Sequence, residues 1–597
     1  MAKELKKRSE VRVEDTWNTS DLYATVEDYQ KDIEKIKGLG DKIASYKGQL
    51  NNAKKLLEVH DLLEESDLVL GRAYSYAARL ADQDTANAEN QARMMQARTV
   101  YSIFGSSISY INSEILAIGS EKIESFYKEE PGLEKYRLSL EEILRRAAHT
   151  LSAEEERIIA LAGELFSAPS TIFSMFSNAD LKFPVIKDET GEDVQITNGR
   201  YATFLNSTDR AVRANFFEKF YESYKAFRNT IAANYSTEVK KRIFNMRVRK
   251  YDNCLQAATD RNDVPESVCR NLIAVCNENV DKMYRYMEIR RKLLGYEELH
   301  MYDLHLPVIK GVDKKIPFEE AKKIVIEGLA PLGKDYQELL EKAFAERWID
   351  IYENEGKRSG AYSSGCYGVH PYVLLNYDES LDSVFTLAHE LGHAMHSYLS
   401  CKYQTPMNSG YKIFVAEVAS ICNEALLAKH MLKNAQTAEE KAYIINHLLD
   451  DYRTTFYRQT MFAEFELRTA EMAERGESLT ADALEKLYYE LNGKYYGPGV
   501  VNDDLIRCEW SRIPHFYMNF YVYQYATGFA AAMALSDRIL KLGKEAADDY
   551  KKFLSGGCTK TPIELLKIAG VDMASKEPLE AALKVFDEMM DELEKNI

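Results

Sequence analysis

The sequence has 597 residues, with 77 Lys and Arg against 94 Asp and Glu, which gives a formal net charge of −17. This excess of acidic residues excludes a protein that relies on a basic surface to bind nucleic acid or an anionic membrane. Only 29 Gly and 13 Pro interrupt a chain that is 46% hydrophobic and 29% charged, so long helices in a globular protein are expected.

The sequence carries no export or membrane signal that we can identify. Residues 1–17 have positive charge but neither an apolar core nor a small-residue cleavage pattern. The best apolar run, residues 529–535, is far too short to span a bilayer. The eight cysteines are scattered without paired spacing, which is typical of reduced thiols. We therefore expect a cytoplasmic protein with neither a membrane nor a nucleic acid as its partner.

Helical periodicity dominates the first part of the chain. From residue 25 to about residue 176, apolar residues recur at three- and four-residue spacing with charged residues between them. Residues 183–199 then show a strand pattern, a Gly-containing turn and a second strand pattern, which predicts a hairpin. Helical spacing returns between about residues 209 and 295.

Two later stretches interrupt the helical pattern. Residues 301–308 look extended, and residues 359–377 are rich in Gly, Ser, Tyr and β-forming residues, which predicts loop and strand. From residue 381 to about residue 594 the pattern is again mostly helical. The predicted fold class is mainly α, with an N-terminal helical domain at residues 1–200 and a larger domain carrying the motif helices at residues 201–597.

One helical segment carries an HExxH motif, formed by His389, Glu390 and His393. At 100° per residue the two histidines lie about 40° apart on one helical face, one turn apart, so both imidazoles can bind one Zn²⁺. Glu390 follows the first histidine by about 100° and can reach a metal-bound water as a general base. The motif predicts one zinc ion per chain.

A catalytic zinc needs a third protein ligand. The metzincin pattern is excluded because His396 and Leu399 occupy the positions where it requires Gly and His. A carboxylate from the following helix is the alternative, and counting back along an antiparallel helix at about 1.5 Å per residue brings Glu417 near His393. Glu424 shares that face about 10 Å further along, either as an acid that supports the site or as a structural charge.

Histidine is concentrated in this region, since four of the 11 histidines lie between residues 370 and 396. His396 projects within about 60° of both motif histidines, which leaves a supporting role and simple packing equally open. His370 precedes Pro371 and is expected to be a loop or structural residue.

These motifs resemble the M3 (thimet oligopeptidase-type) zinc metallopeptidases, and among them the bacterial oligoendopeptidase F branch. The segments that carry the resemblance are TLAHELGHAMHS, FVAEVASICNEALL, RSGAYSSGCYG with PYVLLNY, TTFYRQTMFAEFE and HFYMNFYVYQYATG. It extends over essentially the whole chain, and the first two segments are specific.

The resemblance implies a zinc ion bound by His389, His393 and Glu417, with Glu390 as the base, in agreement with the choice made from helix geometry. It also implies an almost all-helical fold of two lobes, with a small β-sheet beside the HExxH helix. A deep channel in that fold admits short peptides. The expected function is therefore that of a zinc-dependent endopeptidase acting on oligopeptides.

The family takes donors for the oxyanion and the substrate carbonyls from the segment that here spans residues 515–525. His515, Tyr523 and Tyr525 are the residues we assign to this role, although the spacing between histidine and tyrosines differs from that of the thimet branch. Packing of a Tyr-rich stripe in the core is the alternative for each tyrosine. Two other functions stay open: an inactive helical peptide-binding protein, and a zinc amidohydrolase acting on non-peptide amides.

Overall fold

The computed structural model describes residues 5–309 and 315–597. The structure is 72% helical and its sheets are small, so the predicted mainly α fold class is confirmed.

The first α-helices are α1 (Val26–Ala44), α2 (Ala53–Gln83), α3 (Ala88–Ile108), α4 (Ile111–Ile118), α5 (Ser120–Glu129), α6 (Arg137–Arg145), α7 (Ala153–Leu161) and α8 (Gly163–Met175). Next come α9 (Tyr201–Leu205), α10 (Arg210–Lys225), α11 (Arg228–Val248), α12 (Cys254–Thr259), α13 (Ser267–Glu278), α14 (Val280–Leu294), α15 (Phe318–Gly328) and α16 (Lys334–Ala345). The last are α17 (Leu381–Tyr403), α18 (Ala416–Asn434), α19 (Ala438–Asp451), α20 (Arg458–Glu474), α21 (Ala481–Tyr496), α22 (Tyr523–Leu542), α23 (Lys544–Leu554), α24 (Pro562–Ile568) and α25 (Glu577–Lys595).

The strands are β1 (Val185–Lys187), β2 (Asp193–Gln195), β3 (Leu299–His300), β4 (Ile349–Asp350), β5 (Tyr362–Ser364), β6 (Tyr372–Leu374) and β7 (Val500–Val501). Strands β1 and β2 form the antiparallel hairpin that the sequence predicts, and β3 pairs in parallel with β7. The third sheet has the order β4-β6-β5, with β4 parallel and β5 antiparallel to β6. Strand β5 is therefore an edge strand, and α17 packs against it.

The expectation of an extended segment at residues 301–308 is wrong. Strand β3 ends at His300, and a 3-10 turn spans Met301–Asp303. The carboxylate of Asp303 accepts a hydrogen bond of 3.0 Å from the backbone N–H of His300, which closes the turn. The same carboxylate also pairs with the buried guanidinium of Arg213 at 2.8 Å, so tertiary charge pairing overrides the local β pattern.

Contacts between residues divide the chain into two compact units. Unit 1 consists of the described residues within Met1–Thr150, Lys314–His430 and Leu535–Gly570, and unit 2 of those within Leu151–Asp313, Met431–Ala534 and Val571–Ile597. The division into residues 1–200 and 201–597 made from the sequence stays a prediction about domain organisation.

Each unit has its own apolar core. In unit 1, α1, α2 and α3 pack on one another around residues such as Ile33, Leu56 and Ala97, and Tyr372 of β6 joins the same cluster. In unit 2 the core is aromatic, with Tyr235 of α11 tilted or stacked against Phe465 and Phe516 within 6.1 Å.

One helical stretch in the described part of the chain, Glu154–Asp180, is long and apolar enough to cross a membrane by length and composition. The sequence analysis took residues 529–535 as the best apolar run; the stretch Glu154–Asp180 is longer and apolar on average, although it contains Glu164 and Pro169. Few of its residues are buried. One such helix is weak evidence for a membrane span, and the cytoplasmic location stays a prediction.

Candidate metal centre

The HExxH residues lie in the middle of α17, in unit 1. The helix begins after Ser380, whose hydroxyl accepts a hydrogen bond of 3.1 Å from the backbone N–H of Ser383. Since residues four apart lie one turn apart on the same face, the imidazoles of His389 and His393 project side by side. Their ring centroids are 4.9 Å apart and their planes meet at 82°.

A glycine inside the motif lets α18 approach α17 closely. A Cβ atom on Gly392 would lie 2.6 Å from both the carbonyl oxygen of Ala419 and the Cα atom of Ser420. Atoms of a side chain cannot approach backbone so closely, so only glycine fits at this crossing. The buried amide of Asn423 fastens the two helices by donating a hydrogen bond of 3.0 Å to the carbonyl oxygen of Ala388.

This crossing brings a carboxylate of α18 to the two histidines. The Oε2 atom of Glu417 is 3.4 Å from Nε2 of His389 and 3.4 Å from Nε2 of His393. Two ligands of a tetrahedral zinc at about 2.0–2.1 Å from the ion lie roughly 3.3 Å apart. The three side chains form a group whose ligand atoms all lie within 4.8 Å of one another, so their spacing fits one metal ion of that size.

Glu424, which the sequence left either as an acid that supports the site or as a structural charge, contacts the other side of His389. Its Oε1 atom is hydrogen-bonded to Nδ1 of that imidazole. A carboxylate on Nδ1 fixes the tautomer in which Nε2 carries the free lone pair, and thus aims Nε2 at the metal position. Helix counting placed Glu424 too far along α18 to be a ligand, and the structure assigns it a contact with a candidate ligand.

Glu390 lies close to the three candidate ligands and forms no ion pair among the described residues. It is 6% exposed, and its Oε2 atom is buried with no hydrogen-bond partner there. Burial raises the pKa of Glu390, and the neighbouring imidazoles of His389 and His393 oppose this rise. A buried carboxylate with a free oxygen can accept and return a proton, as a general base must.

The carboxylates of Glu417 and Glu424 bring negative charge close to the histidines. Burial lowers the pKa of His389, but hydrogen bonds with Glu417 and Glu424 outweigh it and raise that pKa to about 10. Burial raises the pKa of Glu417, but the contacts of Glu417 with His389 and His393 outweigh burial and hold that pKa well below the usual value. The arrangement therefore favours a positive charge at this position, whether a proton or a metal ion.

The other two histidines of the cluster pack against aromatic rings. The ring of His396 is stacked on that of Tyr411 at 3.8 Å and 5°, and both of its nitrogens are buried without a partner among the described residues. Burial lowers the pKa of His396 to about 3, so it packs as a neutral ring. His370 contacts Asp21 at 3.0 Å and stacks on Trp348 at 5.0 Å, as expected for a structural residue.

The proposed substrate-binding side chains lie in unit 2. His515 is in the 3-10 turn Pro514–Tyr517, and its ring is 6.2 Å from that of Tyr521 and 6.1 Å from that of Tyr525. All three rings are partly exposed, and burial lowers the pKa of His515. Tyr523, in contrast, is 1% exposed and lies in the core.

This geometry favours Tyr521 over Tyr523 as the partner of His515 and Tyr525. The role assigned to His515, Tyr523 and Tyr525 from the sequence stays a prediction. Tyr523 and Tyr525 are two residues apart, and side chains at that spacing share a face only in a strand. The chain at this point instead changes from a turn to helix α22, and Tyr523 lies on the inner side.

The turn that leads from His515 to Tyr521 is strained and held by a buried ion pair. Asn519 and Phe520 both have left-handed backbone, with φ of 53° and 58°. The backbone N–H of Phe520 donates to Glu466 at 3.1 Å, and the guanidinium of Arg242 donates to Glu466 at 3.0 Å. Strained, non-glycine backbone that its surroundings enforce is a feature of functional segments.

Comparison with known proteins identifies the family of the chain. Residues 203–585 match the family described as peptidase family M3, and residues 114–183 match the family described as oligopeptidase F. The chain therefore belongs to peptidase family M3, a family of metallopeptidases, and is a peptidase.

Individual relatives are similar over nearly the whole length. The oligopeptidase PepF of Bacillus subtilis is 45% identical, over 99% of this chain and 89% of that protein. The group B oligopeptidase PepB of Streptococcus agalactiae is 38% identical, over 98% of each chain. A crystal structure of oligoendopeptidase F from Enterococcus faecium is 37% identical, with a TM-score of 0.75 over 96% of this chain and 99% of that one.

Proposed function

We propose that the protein is a zinc-dependent endopeptidase that hydrolyses short oligopeptides. The observation that carries this proposal is the convergence of Nε2 of His389 and Nε2 of His393 on one oxygen of Glu417, at 3.4 Å each. The names of its relatives, which are oligopeptidases and oligoendopeptidases, support a peptide substrate. Membership of a peptidase family favours this function over an inactive peptide-binding protein or an amidohydrolase for other substrates.

The donor set suits zinc. Two imidazole nitrogens and one carboxylate oxygen are the ligands of many catalytic zinc sites, which keep a further position open. We propose His389, His393 and Glu417 as the ligands of one zinc ion per chain. The contact of Glu424 with Nδ1 of His389 supports this choice, because metal-binding histidines commonly donate their second nitrogen to a carboxylate.

Hydrolysis needs a base, a donor for the developing oxyanion and a proton for the leaving amine. Bound zinc would supply a Lewis acid that polarises the carbonyl and lowers the pKa of water. Glu390 would take the proton of the attacking water on its free Oε2 atom and then deliver it to the leaving nitrogen. His515 and Tyr525 would donate hydrogen bonds to carbonyl oxygens of the substrate.

Unit 1 offers space for an extended peptide along α17. Thr386, one turn before Glu390, lines a cavity of about 250 Å³, and Ser397, one turn after His393, lines a larger one of about 830 Å³. The edge strand β5 lies beside this helix, and an edge strand can pair with the backbone of any extended peptide. Main-chain pairing would allow the protein to bind peptides of diverse sequence.

The test is the Glu390→Gln variant, which keeps the shape of the side chain and removes the base. We expect hydrolysis of a quenched fluorogenic peptide to fall by about 10²–10⁴-fold, while elemental analysis shows unchanged zinc content. Turnover at the parent rate would refute the assigned base. Mass spectrometry of peptides of graded length, with and without a chelator, tests the substrate class, and no cleavage at any length would refute the endopeptidase.

A further inference from the structure

A small polar cavity in unit 2 has no part in the proposed hydrolysis. Its volume is about 120 Å³. Its polar lining consists of Tyr201, His305, Arg453, Thr454, Arg458, Gln459, Tyr496 and Glu509, and its apolar lining includes Phe217 and Ile506. Three of these residues belong to the segment TTFYRQ, which carries the family resemblance and which the proposed mechanism does not use.

Several donors that face this cavity lack a partner in the protein. Among the residues that the structure describes, the side chains of His305, Gln459 and Tyr496 make no hydrogen bond. Arg453 donates from Nε to Asp450 at 2.9 Å, and neither of its terminal nitrogens is hydrogen-bonded within the described residues. Polar groups in a protein interior are normally satisfied by protein, by water or by a bound group, so these donors favour an occupant that accepts hydrogen bonds.

Positive charge exceeds negative charge around the cavity. Arg290 and Arg453 both pair with Asp450, each at 2.9 Å. Arg458 and Arg512 pair in the same way with Glu509, at 2.8 Å and 3.0 Å. Four guanidinium groups thus share two carboxylates, which leaves an excess of two positive charges in a buried region of a chain whose net charge is −17.

The acceptor capacity of Glu509 is already used. Besides the two arginines, Tyr221 donates to its Oε1 atom at 3.0 Å and Tyr488 donates to its Oε2 atom at 2.5 Å. Glu509 therefore cannot satisfy the terminal nitrogens of Arg453. His305, which also lines the cavity, is affected by the same positive charge: burial, and then the charges of Arg453, Arg458 and Arg512, lower its pKa to about 3.

The backbone that presents Arg453 is unusual. Residues Tyr452–Tyr457 form a π-helical turn between α19 and α20, which aims Arg453 and Thr454 at the cavity. Isolated π-helical turns are rare and occur frequently at functional sites. An uninterrupted α-helix would present different residues at this position, so the turn itself shapes the cavity wall.

We propose that this cavity binds a small inorganic anion, of chloride to phosphate size, held by the terminal nitrogens of Arg453 together with Gln459, Tyr496 and His305. The lining offers donors and an excess of positive charge, which excludes a cation. The volume is too small for a peptide, but it accommodates a small anion with some of its hydration water. Such an anion ties the π-helical turn to the segment around His305 and stabilises unit 2.

Thermal unfolding of the full chain tests this proposal. The unfolding temperature is measured against chloride, phosphate and gluconate at equal ionic strength, gluconate being too bulky for the cavity. We expect saturable stabilisation by chloride or phosphate over gluconate, and whichever of the two is stronger identifies the preferred anion. Equal stabilisation by all three salts would overturn the proposal, because it would reflect ionic strength alone.

Variants and diffraction test whether the stabilising anion binds in this cavity. Arg453→Gln should weaken the apparent affinity for the anion at least tenfold, whereas Arg157→Gln, an exposed arginine of unit 2, should leave it unchanged. Gln459→Leu keeps every charge and should weaken the apparent affinity for the anion several-fold. This variant tests the proposal if Arg453→Gln does not fold. Crystals grown with bromide should show an anomalous peak beside Arg453. Water alone in the cavity, or undiminished affinity in the variants, would overturn the proposal.

Discussion

Single carboxylates decide how well the two histidines can serve as ligands. Glu424 bonds Nδ1 of His389 without belonging to the candidate ligand set. Glu424→Gln keeps the size of the side chain but removes the charge that orients and polarises the imidazole. We expect the dissociation constant for zinc, measured by competition with a chromogenic chelator, to rise about 10–100-fold.

The matched control is Glu338→Gln, which neutralises an exposed carboxylate on α16 of the same unit. It should leave zinc affinity unchanged. At saturating zinc the Glu424→Gln variant should recover most of its turnover, because Glu390 is intact. Unchanged zinc affinity in Glu424→Gln would show that the contact with His389 is structural only.

Single hydroxyl groups distinguish the tyrosines of residues 521–525. Tyr521 and Tyr525 lie partly exposed beside His515, whereas Tyr523 is buried. Removing a donor that stabilises the transition state costs about 10²–10³-fold in kcat. We therefore expect Tyr525→Phe or Tyr521→Phe to lower kcat with little change in the unfolding temperature. Tyr523→Phe should instead lower the unfolding temperature with little change in kcat. A loss of kcat confined to Tyr523→Phe would contradict the geometry.

At the scale of elements, the centre depends on how closely α17 and α18 approach each other. Gly392→Ala would improve helix propensity by about 1 kcal/mol, but its Cβ would meet backbone of α18 at 2.6 Å. Overpacking of this kind costs about 1–3 kcal/mol. We expect a lower unfolding temperature and weaker zinc binding, because Glu417 and Glu424 are displaced together from the histidines.

Gly105 provides the comparison for this prediction. It lies in α3 of the same unit, and a Cβ there would meet nothing within 4 Å. Gly105→Ala should therefore stabilise the protein slightly through propensity and leave zinc binding unchanged. Gly392→Ala with parental stability and zinc affinity would mean that the close approach is not needed.

Sequence periodicity was sufficient to predict the helices and the hairpin, and also that His389 and His393 share one face of α17, because each of these depends on local spacing. It could also place Glu417 near the level of His393, since one turn and one helix direction fix the level of a residue. It could not reveal that Glu424 contacts Nδ1 of His389, because side-chain rotamers across a helix crossing have no sequence period. The π-helical turn Tyr452–Tyr457 left no signal either, since its apolar pattern resembles that of an ordinary helix.

At the scale of the whole molecule, protons and the proposed zinc ion would compete for one site, and the two states should respond oppositely to pH. In metal-free protein, the raised pKa of His389, about 10, means that its protonated form stabilises the fold. That contribution is complete below the ordinary histidine value near pH 6.5 and is lost as the pH rises towards about 10. The lowered pKa of Glu417 reflects the same contacts with the histidines, so this stabilisation is also lost in acid, as the pH falls through that lowered pKa.

Metal binding has the opposite dependence, because the imidazole must lose its proton to become a ligand. Between pH 6.5 and 9 the chelated protein should lose stability while zinc affinity rises. Zinc stabilises the folded state by RT ln(1 + [Zn]/Kd), about 2.7 kcal/mol at a hundred times Kd. The difference in unfolding temperature between zinc-loaded and chelated protein should therefore grow with pH at fixed free zinc. Glu417→Gln, which removes the shared partner of both histidines, should flatten this trend, and a difference independent of pH in the parent protein would contradict the coupling.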